Sequence, residues 1–207
     1  MVKVAVIDYG MGNVGSIRRA LVACGAEPVL AASPHDATGS THLVLPGVGA
    51  FPDGMRRLHA TGWAEFLRGM PTRGGPLVLG ICLGMQILFE HGDEVEPTEG
   101  LGLLAGSIRR LVPGPDERLP HVGWNGVDPR GAGHVLLANI PAGTDFYFVH
   151  SYQAAPDGPH AIATCDYAGG LAAAVAHGNL LGVQFHPEKS QRPGLQLLRN
   201  FLGMQPC

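Results

Sequence analysis

Pro76-Leu-Val-Leu-Gly80-Ile-Cys82-Leu-Gly84-Met-Gln86 reads as an apolar strand over residues 77–81, a Gly-x-Cys-x-Gly turn and a helix over residues 85–91. A strand running into such a turn delivers its central residue to the end of a sheet. The two glycines permit the tight turn, and the helix that follows aims free backbone N–H groups at the same point. The residue delivered here is a thiol, Cys82.

Outward from this elbow the pattern alternates. Residues 2–7 read as a buried strand, followed by the loop Asp8-Tyr-Gly-Met-Gly-Asn13. Asn13 or Ser16 caps a helix striped by Ile17, Ala20, Leu21 and Cys24, which Gly25 ends. Short strands are expected over 28–31 and 42–45, and two short helices between 51 and 69, the second around 63–67. Alternation of strand and helix implies a mostly parallel sheet with helices on both faces. Beyond residue 107 the runs at 107–111, 146–151, 161–164 and 171–175 are short and separated by Pro/Gly clusters. They are expected as antiparallel or mixed additions to the same sheet. A core strand returns at 181–185, and Leu195, Leu198, Phe201 and Leu202 stripe a closing helix. The fold class expected is α/β, an open, mostly parallel, flavodoxin-like sheet with flanking helices and antiparallel additions, in one domain spanning 1–207.

Composition agrees with a packed core. Hydrophobic residues are 45% of the 207 and charged residues 15%. Glycine and proline together are about 23%, just under the roughly 25–30% at which low complexity becomes the default reading. A formal charge of −3 leaves no electrostatic footprint for nucleic acid or an anionic membrane. No apolar run approaches the roughly 20 residues of a membrane span. Cys24, Cys82, Cys165 and Cys207 have no CxxC spacing, and the N-terminus lacks a signal-peptide layout. A reducing, cytoplasmic setting is expected.

The chemistry converges on the thiol. Gln184-Phe-His186-Pro-Glu188 places an imidazole and a carboxylate on alternate residues of an extended segment, hence on one face. Cys82, His186 and Glu188 therefore form a candidate nucleophile, base and orienting group. A free thiol of pKa about 8.5 is about 3% ionised at pH 7, so lowering it to about 7 gains roughly fifteenfold. A backbone oxyanion donor is worth about 10²–10³ and matters more. Pro46-Gly47-Val48-Gly49 bares backbone after a strand, so Val48 N–H and Leu83 N–H are the candidate oxyanion hole. A serine in the same elbow would suit an α/β-hydrolase. The 8–13 loop lacks the third glycine of a dinucleotide fingerprint and begins with an acid, so it is expected to border the active-site crevice instead. His121 is read as meeting a partner or shaping the site, and His150 as structural or substrate-lining. Three-histidine metal spacing is absent, and no metal or cofactor is expected.

Taken jointly, these segments resemble the class I (triad) glutamine amidotransferases. The resemblance is carried by residues 8–13, 46–51, 80–86, Pro120-His-Val-Gly-Trp-Asn125, Tyr147-Phe-Val-His-Ser-Tyr152 and Gln184-Phe-His-Pro-Glu-Lys-Ser-Gln191. It implies hydrolysis of glutamine to glutamate and ammonia through a Cys82 thioester. It also implies substrate contacts from Gly47, Gly49, Gln86, His150, Ser151 and Tyr152. The 8–13 and 120–125 segments resemble one branch of the class in particular. Its members work in histidine biosynthesis, where each forms a heterodimer with a separate (β/α)₈-barrel cyclase subunit and passes ammonia to it. In that branch a peptide turn at Val48, flanked by Gly47 and Gly49, is expected to gate the oxyanion hole. Another class I glutaminase, of the pyridoxal phosphate or anthranilate pathway, would share the triad but not residues 120–125. Further alternatives are a different cysteine hydrolase and a catalytically silent binding subunit. No function is read into the loops at 112–119 and 129–134 or the tail at Cys207.

Overall fold

β-Strand β4 (Leu77–Cys82) divides its side chains between two cores, as a period of two requires. Leu77, Leu79 and Ile81 join one buried cluster, and Val78 the other. The structure, a computed structural model, describes residues 2–70, 74–155 and 158–206, so Cys207 lies outside the described residues.

Ahead of β4 come β1 (Val4–Ile7), α1 (Val14–Ala23), β2 (Val29–Ala31), β3 (His42–Gly47), α2 (Phe51–Ala60) and α3 (Trp63–Arg68). After it come α4 (Leu83–Gln86), β5 (Phe89–Gly92), β6 (Thr98–Glu99), β7 (Leu104–Arg110), β8 (His121–Pro129) and β9 (Thr144–His150). The chain continues through β10 (Tyr152–Ala154), β11 (Ala161–Cys165), β12 (Leu171–His177), β13 (Leu180–Val183) and α5 (Gln191–Gly203). Nine strands form one sheet in the order β2-β1-β3-β4-β13-β12-β11-β8-β9. Pairing is parallel from β2 to β13 and antiparallel from there to β9.

Helices cover both faces. Ile17 and Leu21 of α1 pack with Leu197, Leu198 and Phe201 of α5 on one side. Phe51, Met55 and Leu58 of α2 pack with Trp63 and Leu67 of α3 on the other. The Asn13 side chain accepts from Ser16 N–H at 3.1 Å, the cap its position implies.

Two expectations are corrected. The helix expected over 85–91 stops at Gln86, because the carbonyls of Ile87 and Leu88 are taken by Leu101 and Leu103 N–H at 2.8 and 2.9 Å. Tertiary pairing overrides helical spacing there, and the chain turns into β5. The strand expected over 107–111 does not join the main sheet. As β7 it belongs to a second, four-stranded sheet ordered β10-β7-β5-β6. No helix among the described residues is long and apolar enough to cross a membrane.

Candidate active site

Parallel register brings the site together. Gly47 at the end of β3 pairs with Cys82 at the end of β4, and Val183 at the end of β13 pairs with Ile81. Three carboxyl-terminal strand ends therefore release their loops on one edge of the sheet, where open α/β sheets bind ligands. The loops are Val48-Gly49, the Cys82 elbow, and the segment from Gln184 to Glu188.

The elbow strain sits on Cys82, with φ 55° and ψ −113°, and the residue is 7% exposed. Neither flanking glycine has a positive φ, so their purpose is space and not turn conformation. A Cβ on Gly84 would run into the Leu45 carbonyl oxygen, and one on Gly80 would lie 2.7 Å from the Gly84 carbonyl carbon. The strand and helix approach too closely for any side chain. The sulfur lies 3.8 Å from both the Val149 carbonyl oxygen and the Gln184 side-chain nitrogen.

His186 Nδ1 meets Glu188 Oε1 at 2.8 Å, with side-chain exposures of 3% and 2%. His186 Nε2 is buried and makes no hydrogen bond of full geometry, and Cys82 is near enough to act on the ring's pKa. Burial alone would lower the His186 pKa. Hydrogen bonding and charge from Cys82 and Glu188 outweigh it and raise the value to about 9. Both partners favour the protonated ring. Ser190, fully buried, fixes this segment: its hydroxyl donates to the His186 carbonyl at 2.6 Å and accepts from Tyr147 N–H at 3.0 Å. His186 N–H itself donates to the Tyr147 carbonyl at 2.9 Å.

A small cavity of about 70 Å³ opens beside the sulfur, lined by Val48, Gly49, Leu83, Gln86, Glu94 and the strand end from Val149 to Tyr152. It is far below the roughly 300–1,000 Å³ of pockets for drug-sized ligands. Gln86 and Gln184 tie its floor together: Gln86 Nε2 donates to the Tyr152 carbonyl at 2.9 Å and to Gln184 Oε1 at 3.0 Å. Gly49 adopts φ 123°, a conformation L side chains rarely reach, and Val48 is 49% exposed. Gly47 does not line the cavity. It packs beneath it, where an added Cβ would lie within 2.8 Å of Leu83 Cβ, the Gly84 nitrogen and the Tyr9 hydroxyl.

The structure therefore places Cys82, Leu83, Gln86, Val48, Gly49, His150, Ser151 and Tyr152 on one cavity, with His186, paired to Glu188, close enough to Cys82 for the thiol to act on its pKa. Four further residues belong here that sequence reasoning did not single out. Gln184 sits two residues before His186 and Ser190 two after Glu188, inside a motif already quoted. Tyr9 has a buried hydroxyl without a hydrogen-bond partner, and burial, with the charge of Cys82, pushes its pKa up. Glu94 lines the cavity mouth and accepts from Phe51 N–H at 2.8 Å; burial raises its pKa. Nothing in its local sequence marks it. A larger open groove of about 530 Å³ by Arg192 and Arg199 is lined by no cysteine, histidine or carboxylate. Among the described residues no cluster of three or more His, Cys, Asp or Glu is arranged to hold a metal ion.

Comparison with known proteins agrees with this geometry. Residues 5–204 match the family "Glutamine amidotransferase class-I". The chain is 47% identical over 204 residues to the imidazole glycerol phosphate synthase subunit HisH of Xylella fastidiosa (strain Temecula1), covering 99% of this chain and 98% of that one. It is 46% identical over 208 residues to the corresponding subunit of Symbiobacterium thermophilum, covering 100% and 96%. Among solved structures, a glutamine amidotransferase superposes with a TM-score of 0.74 at 19% identity, covering 97% of this chain and 99% of that one. The PurLQS structure from Thermotoga maritima gives 0.69 at 18%, covering 97% of each chain. These two likenesses concern the fold alone.

Proposed function

The chain belongs to the class I glutamine amidotransferases, and on that premise we propose that it is the glutaminase subunit of an imidazole glycerol phosphate synthase. It hydrolyses glutamine to glutamate and ammonia and hands the ammonia to a (β/α)₈-barrel cyclase subunit in a heterodimer. The observation that carries the reading is the buried His186–Glu188 pair set against a strained Cys82 beside a cavity of small-amide size.

Cys82 passes its proton to His186, and the resulting thiolate attacks the carboxamide carbon of glutamine. Negative charge gathers on the former carbonyl oxygen, where Leu83 N–H and Val48 N–H stabilise it. Cationic His186 gives its proton to the departing nitrogen, the C–N bond breaks, and ammonia leaves a thioester on Cys82. The neutral ring then takes a proton from water as the water adds to the thioester carbon. The C–S bond breaks, and glutamate departs. Glu188 fixes the ring through Nδ1 and stabilises its cation. Gln86 and the backbone from His150 to Tyr152 hold the substrate, and the Glu94 carboxylate at the mouth suits its α-ammonium group.

Ammonia released into water at neutral pH is mostly ammonium, which has no lone pair to donate. Transfer must therefore run through protein, which is why the mouth is expected to be covered by the cyclase. There the ammonia joins a phosphoribulosyl aminoimidazole-carboxamide intermediate, giving imidazole glycerol phosphate and an aminoimidazole-carboxamide ribotide. The pathway is histidine biosynthesis, and the compartment proposed is the cytoplasm. We further propose that residues 1–207 act as one glutaminase domain.

Cys82→Ala assayed with the cyclase tests the reading. Synthesis from glutamine is expected to vanish while synthesis from added ammonium persists. Loss of both would mean that Cys82 holds the fold and not the chemistry.

A further inference from the structure

His150, on the cavity wall, and His121, behind it, have rings that take no step in the proposed reaction, and they face each other across β8 and β9. His121 and His150 are register partners, 1% and 6% exposed, with His121 Nδ1 2.9 Å from His150 Nε2. Each ring's other nitrogen is also engaged. His150 Nδ1 lies 2.8 Å from the Tyr152 carbonyl oxygen, and His121 Nε2 lies 2.6 Å from Asn125 Nδ2.

For two neutral rings these contacts admit one proton order. A carbonyl only accepts, so His150 carries its proton on Nδ1. Its Nε2 is then an acceptor, so His121 must donate from Nδ1. His121 Nε2 accepts in turn from the Asn125 amide. Burial keeps both rings in this neutral form by lowering each pKa to about 4.

The chain of bonds ends on the substrate wall. The Tyr152 carbonyl takes two donors, His150 Nδ1–H and Gln86 Nε2–H, so both of its lone pairs are used. At the other end His121 is stacked against Tyr167 at 3.7 Å between centroids and against Phe148 at 4.8 Å. The Tyr167 hydroxyl donates to the Arg118 carbonyl at 2.6 Å and accepts from Arg118 N–H at 2.9 Å. The loop ahead of β8 thereby clamps the ring.

We propose that His121 is a positioning residue for substrate binding: it holds His150 in one tautomer and rotamer, so that His150 and Gln86 together fix the Tyr152 carbonyl at the cavity wall. The proposal rests on the reading that this cavity receives glutamine. It makes the 112–119 loop and residues 120–125 part of the binding apparatus at one remove.

Two variants separate hydrogen bonding from packing. His121→Phe keeps a ring for the stack and deletes both nitrogens. His121→Gln loses the stack but keeps a donor and an acceptor. Glutamine hydrolysis is measured with the cyclase and its nucleotide ligand present. His121→Phe is expected to raise KM about fivefold to tenfold, the loss of one buried hydrogen bond, with kcat within about threefold of the parent. His121→Gln is expected to restore most of that KM. The reverse ranking, or an unchanged KM in both, overturns the proposal and points to a packing role.

Nitrogen-15 spectra of the unmodified protein decide the proton order independently of any variant's folding. Nδ1–H on both His121 and His150 is expected, and Nε2–H on His150 would overturn the proposal. If the unmodified complex hydrolyses no glutamine, the glutaminase reading falls and takes the proposal with it. If it does hydrolyse glutamine, the variants and spectra judge the proposal alone.

Discussion

His186 and Glu188 meet through Nδ1 and Oε1 at 2.8 Å across a single proline, and both side chains are shut away from solvent. A carboxylate that deep is tolerated because it has a charged partner. Glu188→Gln keeps the shape but removes that charge, and the amide can present its N–H to the ring and enforce the wrong tautomer. We expect kcat for glutamine to fall on the order of 10²-fold to 10⁴-fold, while ammonium-dependent synthesis by the complex is unchanged. Steady-state rates with the two nitrogen sources check this.

The contacts of His186 with Cys82 and Glu188 together set a pH dependence of stability. The His186 pKa is raised from 6.5 to about 9 in the folded chain. Its contribution is therefore complete below about pH 6.5, declines as pH climbs, and is lost above about pH 9. The Tm advantage of the parent over His186→Gln should shrink across that window. An advantage that grows with pH would contradict the assignment.

Glu94→Gln addresses the cavity mouth. Glutamine at position 94 still accepts the Phe51 N–H bond but no longer offers charge to an α-ammonium. KM for glutamine is expected to rise about 10-fold to 100-fold, with a much smaller change in kcat. A KM unchanged from the parent would place the substrate's amino group elsewhere.

Tyr9→Phe removes a buried hydroxyl without a hydrogen-bond partner. Most core truncations destabilise, but this one should be neutral or stabilising by up to about 2 kcal/mol, because no bond is lost and a desolvated group disappears. Chemical denaturation of the isolated subunit reads the sign. A clear loss of stability would reveal a partner for the hydroxyl.

Gly84→Ala tests the elbow. The added methyl would strike the Leu45 carbonyl oxygen, so strand and helix must separate. A loss of about 1–3 kcal/mol or more is expected, together with reduced glutaminase activity as the Leu83 N–H is displaced. A variant as stable and as active as the parent would show that the approach is looser than the structure has it.

Much of this was legible from the residues alone. The apolar run into Gly80-Ile-Cys82-Leu-Gly84 located the elbow, and the period-two spacing of His186 and Glu188 put ring and carboxylate on one face. Local pattern failed where distant chain intervened. Ile87 and Leu88 carry helical spacing, but their carbonyls are claimed by residues 101 and 103, which nothing nearby announces. β8 was not anticipated as a strand, since Gly123, Asn125 and Gly126 read as turn residues until β9 pairs with them. Glu94 was missed for a similar reason. Its importance comes from a cavity assembled by β4, β9 and the 48–49 turn, not from its neighbours in sequence.

The slot that β13 occupies beside β4 has a bearing on biogenesis. Leu180–Val183 is joined to Val78–Ile81 after about a hundred intervening residues, and the base follows immediately afterwards. A nascent chain, or one truncated by a premature stop before residue 180, keeps its nucleophile but exposes β4 as a raw apolar edge. On the proposed mechanism such a fragment lacks its base, and its bare edge makes it prone to aggregate, so glutaminase activity is expected only once translation is nearly complete.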